Sequence, residues 1–434
     1  MTAVARLRGR LRGHPWPVPL LIVGQALLAT GSGVVFPFLS MYAASVFGAD
    51  VATAGVVAST YFAAGIPAAP LSGVIADRVG RRPVLVTAIL GFASCLAVMA
   101  AAPSLEVLLV AAFGAGFAIA CIHPVNAAIV ADVVPAERRG QAYGILYQAL
   151  GLGWFLGPLV AVPFLAAGGY RAAFGVVAGA VALAGVLYAS WLPETRPRST
   201  SAAPTMDTSR PGDRGRDADV AGEPPAPPPA RGRSWWRDRR LLAYAGLHML
   251  TLGSYLELFT IFPVDARERL ALGPGTWAVI LALNGFMVLS CQGLVSRAVR
   301  RFPRPSAVAG GVLLWAVGFA FLALPIPVPV LVAALVILTA GEMVVLPLQP
   351  AVVADLAPPE ARARYQGVLA FGGAIGNAVA PLVAGAAVAT IGGAWWALLA
   401  AGMVGLAGAY SIFGRVVRRG SPRALPAGAE DPAR

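Results

Sequence analysis

Twelve apolar stretches, separated by short arginine-rich breaks, decide what kind of solvent this chain can fold in. About 20 apolar residues suffice for a helix to cross the ~30 Å hydrocarbon core of a bilayer. The first six stretches run Pro17–Phe47, Val51–Ala76, Pro83–Ala102, Ser104–Val133, Arg139–Ala166 and Arg171–Leu192. The second six run Leu241–Val264, Pro274–Ala298, Pro305–Leu324, Pro327–Leu356, Arg362–Thr390 and Ala394–Val417. They exceed the minimum length, so tilt is expected. The 434 residues are 58% apolar and 12% charged, where soluble domains sit near ~45–50% apolar. At this length each span reads as a transmembrane helix. The fold class is therefore an all-α membrane protein with twelve transmembrane helices.

The net charge of +13 comes with arginine as the basic residue throughout; no lysine occurs. A basic balance of this kind can mark a nucleic-acid partner, but here the arginines crowd the breaks between spans. Placing both termini in the cytoplasm puts all but Arg171, Arg267 and Arg269 on that side, as the positive-inside rule requires. The expected location is the cytoplasmic membrane, multi-pass, with the lipid bilayer and no nucleic acid as partner. Cys95, Cys121 and Cys291 fall inside spans without metal-ligand spacing, and read as small packed residues.

Residues 193–240 interrupt the series with Pro, Gly, Ser, Asp and Arg, including Pro224-Pro225-Ala-Pro227-Pro228-Pro229. Such a composition cannot bury enough apolar surface to fold, and a disordered cytoplasmic linker is expected. Trp235 and Trp236 at its end read as interface anchors. The chain thus divides into a tail (1–16), a six-helix bundle (17–192), the linker (193–240), a second bundle (241–417) and a second tail (418–434). An internal repeat supports two parallel halves. One constant shift in numbering aligns Pro124 with Pro347, Asp132 with Asp355, Glu137 with Glu360, Arg139 with Arg362, Gly144 with Gly367 and Gly153 with Gly376. It also superimposes Pro158-Leu-Val-Ala161 on Pro381-Leu-Val-Ala384.

Between the second and third spans stands Gly73-Val-Ile-Ala-Asp77-Arg78-Val-Gly80-Arg81-Arg82. Gly73 lets another helix approach closely. Asp77 sits at the helix end that repels an acid, so it needs a partner from elsewhere, either an arginine or a helix N-terminus. Gly80 supports the turn, and Arg78, Arg81 and Arg82 anchor it. In the second half Gly293 and Arg297 stand where this stretch has Gly73 and Asp77. The pattern G-x-x-x-D-R-x-G-R-R resembles the loop between helices two and three of the major facilitator superfamily. The resemblance implies two pseudo-symmetric bundles of six helices, alternating access between them, and a latching role for this loop. The fifth span adds Gly144, Gly153 and Gly157-Pro158, similar to the Gly-Pro motif of the superfamily's drug/proton antiporter branch. Val110 stands where that branch carries an arginine, and Ala161 and Val162 stand where it has further glycines.

Ionisable groups at membrane depth are costly and point to function. Glu342, near the middle of the tenth span, and Glu257, on the seventh, are the candidate proton carriers. Asp132, Glu137, Arg138, Arg139, Asp355, Glu360, Arg362 and Arg364 form a candidate charge network at the inner gate. Gly144, Gly153, Gly157, Pro158, Gly376 and Pro381 are candidates for helix packing and bending. The candidate substrate pathway comprises Gln25, Ser32, Phe36, His123, Asn126, Tyr147, Gln148, His248, Asn284, Gln292 and Asn377. The first, fourth, seventh and tenth helices are expected to line it, as the resemblance implies. Trp154 and Phe371 read as core or lipid-facing side chains.

The expected activity is secondary transport by a monomer, namely proton-coupled efflux of small organic, drug-like compounds. A proton gradient supplies the energy and no cofactor is needed. A metabolite or sugar transporter of the same fold, and a membrane ligand sensor that moves nothing, are the alternatives. No G-x4-G-K-[ST] loop for a nucleotide and no nucleophile–base set for an enzyme stand out.

Overall fold

The structure, a computed structural model, describes residues 17–167, 169–195, 237–358 and 361–420. Both tails' outer residues, Trp235, Trp236, Glu360 and nearly all of the linker lie outside the described residues, as do the side chains of Glu137 and Tyr147. Among the described residues there are helices and no strands. Eleven helices are long and apolar enough to cross a membrane, and a bent pair, Arg239–Thr260 with Phe262–Arg269, supplies the twelfth span.

The seventh span bends by 42° just before Pro263, whose nitrogen cannot donate back to the preceding turn. Its second segment carries the span to Arg269, beyond the Val264 boundary expected from hydropathy. The second span is broken too, into Val51–Ala63 and Gly65–Val79. Its end corrects the expected loop: Gly73 to Val79 are helical, and Arg81 opens the third span, Arg81–Ala101. The turn is Gly80 alone, at φ +124°, a conformation that favours glycine.

The remaining spans are Pro17–Phe47, Leu105–Val133, Ala136–Ala166 and Tyr170–Trp191 in the first half. The second half adds Pro274–Val299, Arg304–Leu322, Val328–Leu356, Arg362–Ile391 and Ala394–Gly420. Packing repeats between halves. Span 1 lies on span 5 as span 7 lies on span 11, and span 3 lies on spans 4 and 6 as span 9 lies on 10 and 12. Glycines permit the closest approaches. A Cβ added to Gly153 would fall 2.7 Å from the Ala26 carbonyl oxygen, and one added to Gly376 would fall 2.2 Å from that of Met249. Ala26 and Met249 are themselves equivalent positions of the repeat, like the two glycines that face them.

The halves join through spans 2 and 11 and through spans 5 and 8. The Gly55 Cα faces the Pro381 carbonyl, Gly385 faces that of Val51, and Gly285 lies on the Phe155 backbone. Span 2 packs along span 11 through Val51–Ala63, whereas Gly65–Val79 scarcely touches it. Phe36 meets Phe259 across the halves at 5.5 Å, and farther from Asp77 the Arg267 guanidinium donates to Ser45 Oγ. The two bundles thus meet away from Asp77 and part toward it.

The three arginines at this closed end all have structural work. Arg171 lies 5.9 Å from the centre of the Phe47 ring. Arg267 bonds Ser45 across the halves. Arg269 donates to Asp265 Oδ2 and to the Leu322 and Leu324 carbonyls.

Candidate functional site

A cavity of about 440 Å³ lies between the bundles at mid-depth. Spans 1, 4, 7 and 10 line it as expected, with spans 2, 5, 8 and 11 contributing as well. Its closed end is aromatic: the Phe36 ring contacts Trp154 at 4.9 Å, Phe62 at 5.3 Å and Phe259 at 5.5 Å. Trp154 therefore faces the cavity, against the expectation of a core or lipid-facing side chain; Phe371 is exposed as expected.

Glu342 supplies the carboxylate of the cavity wall. Its Oε2 accepts from Tyr255 Oη at 2.7 Å and from Asn284 Nδ2 at 2.7 Å, and Asn284 also donates to Thr339 Oγ1 at 2.9 Å. Its other oxygen takes no hydrogen bond from the described residues and is not sealed from the cavity. Tyr255 is fixed in turn by Trp315, whose ring stacks on it at 4.1 Å and whose indole N–H bonds the Leu338 carbonyl at 2.9 Å. Three spans thus hold one acid with one oxygen free. Tyr255 escaped the sequence reading because it is one tyrosine among many apolar neighbours, and its partner lies 87 residues away.

Glu257 goes elsewhere. It is 3% exposed and takes a hydrogen bond from Trp395 Nε1 at 2.8 Å, off the cavity wall. Asp265, beyond the bend in the same span, accepts from Trp396 Nε1 at 2.7 Å. Adjacent tryptophans on span 12 therefore hold an acid on each side of the break.

Of the expected pathway residues, Gln25, Ser32, Phe36, His123, Asn284 and Asn377 line the cavity. Asn126, Gln148, His248 and Gln292 do not. Asn126 is buried and donates to Gln25 Oε1 at 3.0 Å. His248 is buried against Gln349, its Nδ1 lying 2.6 Å from Oε1. Gln292 bonds the Met343 carbonyl at 2.9 Å and Ser296 at 3.1 Å, and Gln148 is exposed. Polarity alone could not separate side chains that bridge helices from those that face the cavity. The Gln25–Asn126 and His248–Gln349 pairs occupy equivalent positions of the repeat, His248 standing for Gln25 and Gln349 for Asn126.

The two aspartates of the expected gate network pair with arginines of their own halves. Arg81 bridges Asp77, Nη1 to Oδ1 at 2.6 Å, and Asp132, Nε to Oδ2 at 3.2 Å. Asp355 pairs with Arg304. Arg139 turns to the Val134 and Ala131 carbonyls at the end of span 4 (3.0 and 2.8 Å), and Arg362 and Arg364 are exposed. Asp77 thus finds the arginine it needs four residues on, across the Gly80 turn, and its side chain is 67% exposed. Glu194, beyond span 6, was not foreseen: it accepts from the backbone N–H groups of Arg81 and Arg82 at 2.9 and 3.2 Å. An acid there caps the third span and offsets two arginines placed at the positive end of its dipole. Gly153 and Gly157 press on span 1, whereas Gly73, Gly144 and Gly367 meet open space.

Comparison with known proteins gives this architecture a family. The Major Facilitator Superfamily profile matches residues 21–304 and 252–433. The chain belongs to the Major Facilitator Superfamily. An Na(+), Li(+), K(+)/H(+) antiporter of Planococcus maritimus is 25% identical over 392 residues, covering 83% of this chain and 87% of that protein. Multidrug resistance protein MdtH of Cronobacter sakazakii is 26% identical, covering 82% and 84%. A POT family transporter solved with 5-aminolevulinic acid superposes with a TM-score of 0.76 at 15% identity, over 93% of this chain and 97% of that one. The superfamily chain is thus a multi-pass membrane transporter with the fold of these neighbours.

Proposed function

We propose that this transporter exports small organic, drug-like compounds in exchange for protons, by alternating access, with the Asp77 end and both termini in the cytoplasm of a bacterial cell. The observation that carries the reading is the placement of Glu342: a carboxylate on the wall of the cavity between the halves, with one oxygen held by Tyr255 and Asn284 and the other open. A group so placed can meet a proton from one side of the membrane and substrate from the other. Glu342 is assigned the proton over Glu257 because Glu257 is engaged by Trp395 away from the cavity.

The arrangement then represents the inward-facing state. Asp77 of the loop latch is paired with Arg81 of its own half, and the Phe36–Phe259 and Arg267–Ser45 contacts close the far end. The names carried by two relatives, a cation/proton antiporter and a multidrug resistance protein, support exchange and export.

The test is reconstitution. Proteoliposomes with an imposed pH gradient should move members of a labelled panel of drug-like compounds, and Glu342→Gln should abolish that flux while leaving the binding of uncharged members of the panel largely intact. Full gradient-driven flux by both Glu342→Gln and Glu257→Gln would refute the coupling. Gradient-dependent uptake of nutrients instead of drugs would support the metabolite-transporter alternative, and binding without any flux would support the sensor.

A further inference from the structure

We infer that the cavity takes a singly charged organic cation with an apolar, ring-sized body, and that this cation exchanges for one proton so that the cycle moves no net charge. The inference rests on the transporter reading above and specifies the substrate of the same site. Among the described lining residues Glu342 is the one carboxylate, and neither arginine nor lysine accompanies it; His123, on span 4, is the one imidazole. An anion would bring like charge to an apolar enclosure that has no fixed cation to receive it. An unneutralised Glu342 is costly there for the same reason, so the cavity accepts a proton or a cation in turn, one charge for one charge.

The free oxygen of Glu342 defines where the cation's charge sits, because Tyr255 and Asn284 both spend their hydrogens on the other. From that point an aromatic wall runs toward the closed end: Tyr255 contacts Phe259 at 5.3 Å, and Phe259 contacts Phe36, which meets Trp154 and Phe62. Ring faces attract a weakly hydrated organic cation and pack its body. A bare alkali ion would need a shell of oxygen ligands, and the mapped partners of Glu342 are donors. The organic cation is therefore the occupant that the wall fits.

Binding to the purified full-length protein separates charge from shape with three naphthalene probes of similar size. These are trimethyl(2-naphthylmethyl)ammonium, its uncharged carbon isostere 2-neopentylnaphthalene, and 2-naphthylacetate. The ammonium should bind about 10-fold or more tightly than the isostere, as cation–π and ion-pair contacts together imply, and 2-naphthylacetate should bind worst. Glu342→Gln should erase the ammonium's advantage while the isostere keeps its affinity within about twofold, which also certifies the fold. Equal binding of all three, tighter binding of 2-naphthylacetate, or displacement of the ammonium by sodium chloride and not by choline chloride at equal ionic strength would overturn the cation assignment. In proteoliposomes a pH gradient should drive ammonium uptake, and a potassium diffusion potential at equal pH should not. Uptake driven by the potential would overturn one-for-one exchange. A preserved charge preference with no flux in either condition would leave the cation site standing and refute transport.

Discussion

Arg304 holds Asp355 as Arg81 holds Asp132, and the two ion pairs occupy equivalent positions of the internal repeat, Arg304 standing for Arg81 and Asp355 for Asp132. Each ties the first turn of one span to the last turn of the next, at the end where the bundles part. The first half adds Asp77 and Glu194 around its arginine. In the second half Arg297, which stands for Asp77 when Gly293 is set on Gly73, bonds the Gly293 carbonyl of its own helix at 3.1 Å. The repeat therefore preserves the fastening inside each bundle and keeps the acid of the loop in one half only.

The two fastenings should differ in strength. Both side chains of Arg81–Asp132 are 15% exposed, against 47% and 58% for Arg304–Asp355. Solvent screens exposed pairs, which contribute about 0–1 kcal/mol. Double-mutant cycles on thermal unfolding in detergent should give the Arg81–Asp132 pair the larger coupling, toward about 1 kcal/mol, and the Arg304–Asp355 pair a few tenths. Equal couplings would contradict the screening argument.

The glycines of the fifth and eleventh spans should divide by contact. A Cβ at Gly153 or Gly376 would meet a backbone oxygen of the neighbouring span, which cannot turn aside as a side chain can. Gly153→Ala and Gly376→Ala should each cost about 1–3 kcal/mol, the usual overpacking range. Gly144→Ala and Gly367→Ala meet open space and should be neutral or slightly stabilising. Melting temperatures of the four variants check this directly.

Tyr255 should matter through its hydroxyl and its ring separately. Tyr255→Phe keeps the stack on Trp315 and removes one hydrogen bond to Glu342; hydrogen bonds to charged groups contribute about 1.5–3 kcal/mol. Gradient-driven flux should fall about 10-fold or more with little change in melting temperature. Tyr255→Leu loses the stack too and should lower both. If Tyr255→Phe transports normally, the hydroxyl has no part in the cycle.

Closing the far end covalently should stop transport. Ser45→Cys with Arg267→Cys places a thiol on each half at the Arg267–Ser45 contact. A short thiol-cleavable crosslinker should arrest flux, and a reducing agent should restore it. Unimpeded flux by the crosslinked protein would mean that this end need not open.

Asp50 offers a pH-dependent check outside the spans. Its Oδ1 caps span 2 at the Thr53 N–H, 2.8 Å away, and these hydrogen bonds hold its carboxyl below the usual carboxylate range. With the folded value depressed, the cap's contribution is complete above the unfolded value of 3.8 and is lost as pH falls through the folded one. Asp50→Ala should cost about 1 kcal/mol at neutral pH, and the difference from wild type should shrink as the medium is acidified below pH ~4. A difference that does not change on acidification would remove the cap as the cause.

The sequence by itself determined that the chain crosses a membrane as twelve helices, that it is duplicated, and that Glu342 is an acid at mid-depth. Hydropathy, the internal repeat and the cost of burying charge are properties of composition and order, so one dimension suffices for them. Only the tertiary structure decided that Glu342 faces the cavity while Glu257 is held by Trp395, that Asn126 and His248 bridge helices, and that Arg304 is the partner of Asp355. These outcomes depend on the rotation of each helix about its axis. Spans that are apolar on every side leave no sequence signal for that angle, because lipid and protein interior solvate an apolar side chain about equally well. The angle is set by close packing at residues such as Gly153 and Gly376, and by hydrogen-bond partners dozens of residues away in the chain.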